Sequence, residues 1–288
     1  MTTSREMEIL CIGNELLIGK TLNTNAHWLA GQATSLGMIV KRVTIVGDNV
    51  DEIAGVLLEA LSRKPRFIIV TGGLGPTFDD MTLAGAAVAL NRKLCVDKTA
   101  LGMVRRKYEA HFGRKLERKD LTPARIKMAT LPENAKPLSN PIGTAPGVLL
   151  NAGQSSIIVL PGVPPEMEAI FSNSVAPLLR KEAGTISFFE KSVFADGIVE
   201  STLAPLIDTV MRENPDVYVK SHVYVKPTKG SKTKRPRIEL HLSTSSGDTK
   251  KALASLERAA DMLSKLIKKN NGTAAPREKG ERANCVNL

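Results

Sequence analysis

The apolar residues of this chain fall into short blocks that switch between two spacings. Met7 to Ile12 alternates weakly and predicts a strand ending at Gly13-Asn14-Glu15. Ala26, Leu29, Ala30, Ala33 and Leu36 share one helical face, with Asn23, Thr24 or Asn25 as its cap and Gly37 as its stop. Ile39 to Val46 predicts a second strand, and Gly47-Asp48-Asn49 turns into a helix carrying Ile53, Val56, Leu57, Ala60 and Leu61. Phe67 to Thr71 is a β-branched and aromatic run, broken by Gly72, Gly73, Gly75 and Pro76. Asp79 and Asp80 then open a third helix with Met81, Leu83, Ala84, Ala87, Val88 and Leu90 on its apolar positions. Strands alternating with helices predict an α/β fold, a mostly parallel, doubly wound sheet flanked by helices.

Further on, Leu94 to Leu131 is charged and helical, and Leu131 to Asn140 extended. A loop of small residues runs from Pro141 to Gly147. Paired strands are expected at Val148–Leu150 and Ile157–Leu160, then Pro161 to Pro165 and a helix starting at Glu166. A shift in composition at Gly184-Thr185 sets the expected division: a main domain over 1–184, a small α+β domain over 185–270, and a disordered tail over 271–288. The small domain reads βαββα: strand Ile186–Ala195, helix Glu200–Glu213, strands Val217–Val225 and Ile238–Ser243, helix Thr249–Lys269.

Composition narrows the classes. The chain has 288 residues, 42% of them hydrophobic, enough for a sizeable core. Its 3 cysteines, Cys11, Cys95 and Cys285, show no CxxC or Cys/His spacing, which argues against a disulfide framework or a zinc site. No apolar run reaches the roughly 20 residues that span a bilayer, and the first residues, MTTSREMEIL, are polar. A soluble protein of the cytoplasm is expected. The net charge of +11 favours acidic ligands in general without naming one.

The glycine turn after Thr71 has a chemical use. Glycines permit close backbone approach, and a helix start offers unpaired N–H groups to an anion. The turn is neither a Walker loop nor GxGxxG, and no lysine follows it. It carries carboxylates instead, which repel a bare phosphate unless a divalent cation lies between them. Either aspartate could equally cap the helix. Glu15 and Asp48 follow strand ends, where ligands gather in such sheets; a solvated acid and a helix cap are their plainer roles. The cations of Leu94–Leu131, among them Arg105, Lys107, Arg125 and Lys127, read first as a solvated face, with ligand phosphates as the alternative for one or two of them. Tyr108 and His111 read as structural.

TGGLGPTFDDMT resembles the hallmark of the MoaB/Mog-like molybdopterin-binding fold, as carried by the amino-terminal domain of the CinA (competence-damage-inducible) family. GNELLIGKTLNTNAHWLA, VTIVGD, SNPIGTAPG and LPGVPPEM agree in order, across most of residues 7–180. The resemblance implies that the GTAPG and LPGVPPEM loops converge with GGLGPT on one pocket. It assigns Asp80 and Asp79 to a divalent metal, Mg²⁺ by expectation, with Glu15 and Asp48 as candidate base or supporting acid. Gly72, Gly73, Gly75 and Thr77 would cradle phosphate and Thr82 fix its orientation. Asn140, Gly143, Thr144, Gly147, Pro161 and Gly162 would complete the nucleotide or pterin site. Asn23 stands where many such relatives have aspartate. No stretch resembles the family's deamidase domain, so that activity is not carried over.

Three functions follow. The first is metal-dependent pyrophosphate hydrolysis on an ADP-ribose-like or dinucleotide substrate. The second is molybdopterin binding or adenylylation. The third is a nonenzymatic binding protein whose basic surface engages RNA or an acidic partner; nucleic-acid contact by the basic Lys226–Arg237 loop is weakened by the absence of aromatics in that run. The resemblance also implies a homo-oligomer.

Overall fold

The computed structural model describes residues 5–224 and 237–276. The expected basic loop, apart from Arg237, lies outside the described residues, as do Cys285 and 277–288. The chain divides into two compact units, Met1–Gly184 and Thr185–Leu288.

The first unit contains β1 (Glu6–Ile12), α1 (Asn14–Leu17), α2 (Thr24–Ser35), β2 (Ile39–Val46), α3 (Val50–Ser62), β3 (Phe67–Thr71) and α4 (Thr82–Ala89). It continues through β4 (Leu94–Val96), α5 (Lys98–Phe112), α6 (Pro123–Lys127), β5 (Thr130–Pro132), β6 (Lys136–Leu138), β7 (Gly147–Ala152) and β8 (Ser155–Leu160). It closes on α7 (Pro164–Ile170) and α8 (Ala176–Ala183), joined by a π-helical turn over Phe171–Val175. The main sheet runs β2-β1-β3-β8-β7-β6. Strands β2, β1, β3 and β8 are parallel, β7 runs antiparallel to β8, and β6, antiparallel to β7, returns to the common direction.

The weak alternation of β1 has a physical cause, because helices cover both faces of the sheet and leave neither for water. Leu10, Ile12, Ile68, Val70, Ile157 and Val159 face one core, filled by Ile53 and Leu57 of α3, Ala86 of α4 and Val104 of α5. Met7, Ile9, Cys11, Ile69, Ile158 and Leu160 face the other, against Leu29 of α2, Met167 of α7 and Leu179 of α8. One charge enters this interior: Glu8 is 2% exposed and is gripped by Arg63 through two hydrogen bonds of 2.7 Å.

Several local expectations are narrowed or corrected. Helix α7 begins at Pro164, two residues before Glu166, because proline suits the first helical turn, where its missing N–H costs nothing. The charged segment Leu94–Leu131 is bracketed by a short antiparallel pair, β4 with β5. Asn23 caps α2, its Oδ1 accepting from the Ala26 N–H at 3.0 Å. Neither Asp79 nor Asp80 caps α4, whose cap residue is Met81 with no side-chain bond. Asn49, not Asp48, caps α3.

The second unit holds β9 (Ser187–Asp196), α9 (Glu200–Glu213), β10 (Tyr218–Tyr224), β11 (Arg237–Ser246), α10 (Thr249–Lys269) and β12 (Thr273–Pro276). Its antiparallel sheet runs β10-β11-β9-β12. Leu256, Leu263 and Ile267 of α10 recur at helical spacing and are buried with Leu240 and Leu242 of β11. The segment Thr273–Pro276, expected to be disordered, pairs with β9 at the sheet edge, where a proline is tolerated. Among the described residues no helix is long and apolar enough to cross a membrane.

Candidate functional site

The carboxyl ends of β1, β3 and β8 open into a pocket of about 570 Å³, lined from Gly13, Glu15, Asp48, the 72–80 turn, Gly143 to Ala145, and Pro161 to Val163. The turn after β3 is a folded device. Gly72 and Gly73 hold φ of +110° and +65°, and a Cβ on Gly73 would stand 2.2 Å from Thr82 Oγ1. Thr82, buried at the head of α4, donates that hydroxyl to the Gly72 carbonyl at 2.8 Å. The Gly72 N–H is committed to the Leu160 carbonyl at 3.0 Å. Gly72 therefore turns the chain, leaving Gly73 and Gly75 as the glycines whose amides can meet a ligand.

Thr77 gives its backbone N–H (2.8 Å) and its hydroxyl to Asp80 Oδ2, which closes the turn and leaves the other Asp80 oxygen for a ligand. The Asp79 carboxyl is held below the usual carboxylate range, foremost by the Thr77 side chain, then by its own backbone N–H and the charge of Lys127. Asp48 and Asn14 exchange backbone-to-side-chain bonds, Asn14 N–H to Asp48 Oδ2 at 2.8 Å and Asp48 N–H to Asn14 Oδ1 at 3.3 Å. This pair ties the loops after β1 and β2 together. Glu15 folds back so that its carboxylate lies over Gly13.

The other two loops are held from below. Asn140 is 5% exposed and uses all of its amide: Nδ2 donates to the Ala145 carbonyl (2.8 Å) and to Glu166 Oε2 (2.7 Å), while Oδ1 accepts from the N–H groups of Ile142 and Gly143. It positions the loop and Glu166, with no hydrogen-bonding capacity left for a ribose or a pterin. Thr71 donates to the Pro161 carbonyl at 2.9 Å. Asn25 in turn donates to Thr71 Oγ1 and to the Gly162 carbonyl, at 3.0 and 2.8 Å.

Of the residues expected at the site, Glu15, Asp48, Gly72, Gly73, Gly75, Thr77, Asp79, Asp80, Gly143, Thr144, Pro161 and Gly162 line this one pocket. Thr82, Asn140 and Gly147 lie behind the lining. Asn23 is not in the lining either, so the residue that departs from the family pattern takes no carboxylate from the pocket wall. Of the lining residues that sequence reasoning did not assign to the site, two carry polar side chains. Glu166 sits within the LPGVPPEM stretch but reads as an ordinary helix start. Tyr108 lines the pocket from α5, its ring covered by the Arg125 guanidinium at 4.0 Å. Nothing in its spacing marks it.

Glu15, Asp48, Asp79, Asp80 and Glu166 make the lining acidic, and among the described lining residues none is a lysine or arginine. Among the described residues no three His, Cys, Asp or Glu side chains gather as a ready-made metal cage. Paired aspartates on a glycine turn are donors of the kind that could hold a cation of the Mg²⁺ type, which takes one or two carboxylates and completes its shell with water and ligand oxygens.

Fold and site thus define an α/β protein with a glycine-turn pocket for a small molecule at the strand ends. The chain belongs to the family described as probable molybdopterin binding domain, which matches residues 8–181. It is 44% identical over 267 residues to Protein PAE0875 of Pyrobaculum aerophilum, covering 93% of this chain and 96% of that one. To Protein SSO0103 of Saccharolobus solfataricus it is 38% identical over 265 residues, covering 92% and 93%. Among solved structures it resembles the protein CinA, of unknown function, from Thermoplasma acidophilum, at 40% identity and a TM-score of 0.56 over 61% of this chain and 99% of that one.

Proposed function

We propose that the pocket binds a phosphorylated small molecule together with a divalent cation, and that the protein hydrolyses the pyrophosphate of an ADP-ribose-like substrate. The observation that carries this reading is the acidic lining around the 72–80 glycine turn, in which an anionic ligand requires a cation between itself and the wall. Asp80, through its free oxygen, and Asp79 would hold that cation, which when bound offsets charge on the phosphate oxygens. The amides of Gly73 and Gly75, both in the lining, would donate to phosphate oxygens. Water adds to one phosphorus, the bridging P–O bond breaks, and AMP and ribose 5-phosphate leave. Glu15 or Asp48 accepts the proton of that water. Glu166, oriented by Asn140, faces the substrate's hydroxyl or N–H groups.

A second reading, pterin binding or adenylylation of a pterin phosphate, is favoured by the description of the family itself. It uses the same pocket. Purified protein incubated with ADP-ribose and Mg²⁺, Mn²⁺ or Co²⁺ should release AMP, and Asp80→Ala should lose at least tenfold in rate, roughly the value of one charge-stabilising contact. Absence of AMP with every metal would remove the hydrolase reading, and molybdopterin binding by calorimetry would then favour the second.

A further inference from the structure

The acidic lining poses a problem that one cation does not fully solve. A pyrophosphate ligand brings at least two negative charges into a wall that carries five carboxylates and no described basic side chain. Positive charge must come from just outside the lining. Among the described residues, besides the Arg125 guanidinium over Tyr108, two ammonium groups stand there, both from the helical segment between β4 and β5.

Lys107 of α5 donates to the carbonyls of Pro141 (2.7 Å) and Ile142 (3.3 Å) and straps the second loop. Lys127 is the last residue of α6, directly before Met128, which lines the pocket. Its Nζ donates to the carbonyl of Thr77, the residue whose N–H and hydroxyl hold Asp80. One ammonium thus sits on the lip of the phosphate turn, on the carbonyl side of the peptide that organises the proposed metal carboxylates.

We propose that Lys127 supplies positive charge directly to the phosphate of the ligand in this pocket, while Lys107 remains the strap of the opposite loop. The geometry separates the two lysines. An ammonium has three donors. Lys107 spends two on carbonyls of its loop, whereas Lys127 spends one, on a neutral carbonyl that binds an ammonium less strongly than a phosphate oxygen does. Lys127 can keep Thr77 in place and turn its other donors to the ligand. The inference rests on the phosphate reading of the pocket but not on the reaction, because hydrolysis, adenylyl transfer and plain binding all present a phosphate at this turn.

The test is calorimetry of inorganic pyrophosphate with Mg²⁺ on the full chain, comparing wild type, Lys127→Arg and Lys127→Gln. Glutamine retains a donor for the Thr77 carbonyl without the charge. Its affinity should fall roughly ten- to hundredfold, the range of one charge-assisted contact, while arginine stays within about threefold of wild type. Added salt should weaken wild type more steeply than Lys127→Gln. Reductive methylation of wild type, read by peptide mass, gives a measurement free of any folding defect: pyrophosphate should protect Lys127. Equal affinity of Lys127→Gln and wild type, absence of pyrophosphate binding, or undiminished methylation of Lys127 would overturn the inference. Wild type that binds pyrophosphate through Lys127 but leaves ADP-ribose intact would fell the hydrolase reading alone. ADP-ribose cleavage unchanged in Lys127→Gln would fell this inference alone.

Discussion

Asn140→Ala tests whether the second pocket loop is held by its own framework or shaped by its ligand. The side chain is 5% exposed and makes four hydrogen bonds, two donated and two accepted. Truncation removes all four and leaves the Ala145 carbonyl and two backbone N–H groups short of partners. At about 1 kcal/mol net per bond, with part of the loop recovering water at the pocket mouth, the loss should be about 3 kcal/mol. For a unit of this size, 1 kcal/mol moves Tm by roughly 2–4 °C, so Tm should fall by roughly 6–12 °C. The protein contains 1 tryptophan, Trp28, whose ring meets Phe171 edge-on at 5.2 Å inside the first unit, so its fluorescence reports that unit's unfolding. Asn140→Asp should be at least as damaging, because it places a second carboxylate against Glu166. A variant that melts within about 1 °C of wild type while losing ligand affinity would refute the reasoning and make Asn140 a ligand contact.

Three further single substitutions and one double variant probe the same unit. Gly73→Ala forces a Cβ into positive φ and to 2.2 Å from Thr82 Oγ1, so it should cost roughly 2–3 kcal/mol and abolish ligand binding. Gly153→Ala, at φ +62° with nothing within 4 Å, should cost only about 1 kcal/mol and leave binding intact; equal effects of the two in denaturant melts would contradict the turn geometry. Arg63→Ala strands the Glu8 carboxylate, 2% exposed, and should cost about 3 kcal/mol, whereas Glu8→Leu with Arg63→Met should recover most of it. A neutral single variant would mean that water reaches Glu8.

Much of the architecture was legible because it is local. Helix α9 and helix α10 follow from apolar spacing with defined ends, and the glycines after Thr71 announce a turn whatever surrounds them. The pocket was legible through the family stretches, since no spacing rule brings residues near 13, 72, 143 and 162 together. What escaped was non-local. Asn140 read as a free hydrogen-bonding group because its partner Glu166 is 26 residues away. Tyr108 read as packing because α5 reaches the pocket only through the tertiary fold. The cap of α2 was ambiguous among three neighbours, each chemically able to serve. Strand β12 was invisible because TAAP has little strand propensity of its own and is held by β9.

The most direct test of the account is a crystal of the full chain soaked with ADP-ribose and Mg²⁺. The predicted result is density for the two phosphates against the amides of Gly73 and Gly75, a cation between them and the free oxygen of Asp80, and Glu166 toward the ribose or base. Ligand bound away from the 72–80 turn, or phosphates in the pocket with no cation at Asp79 or Asp80, would contradict it.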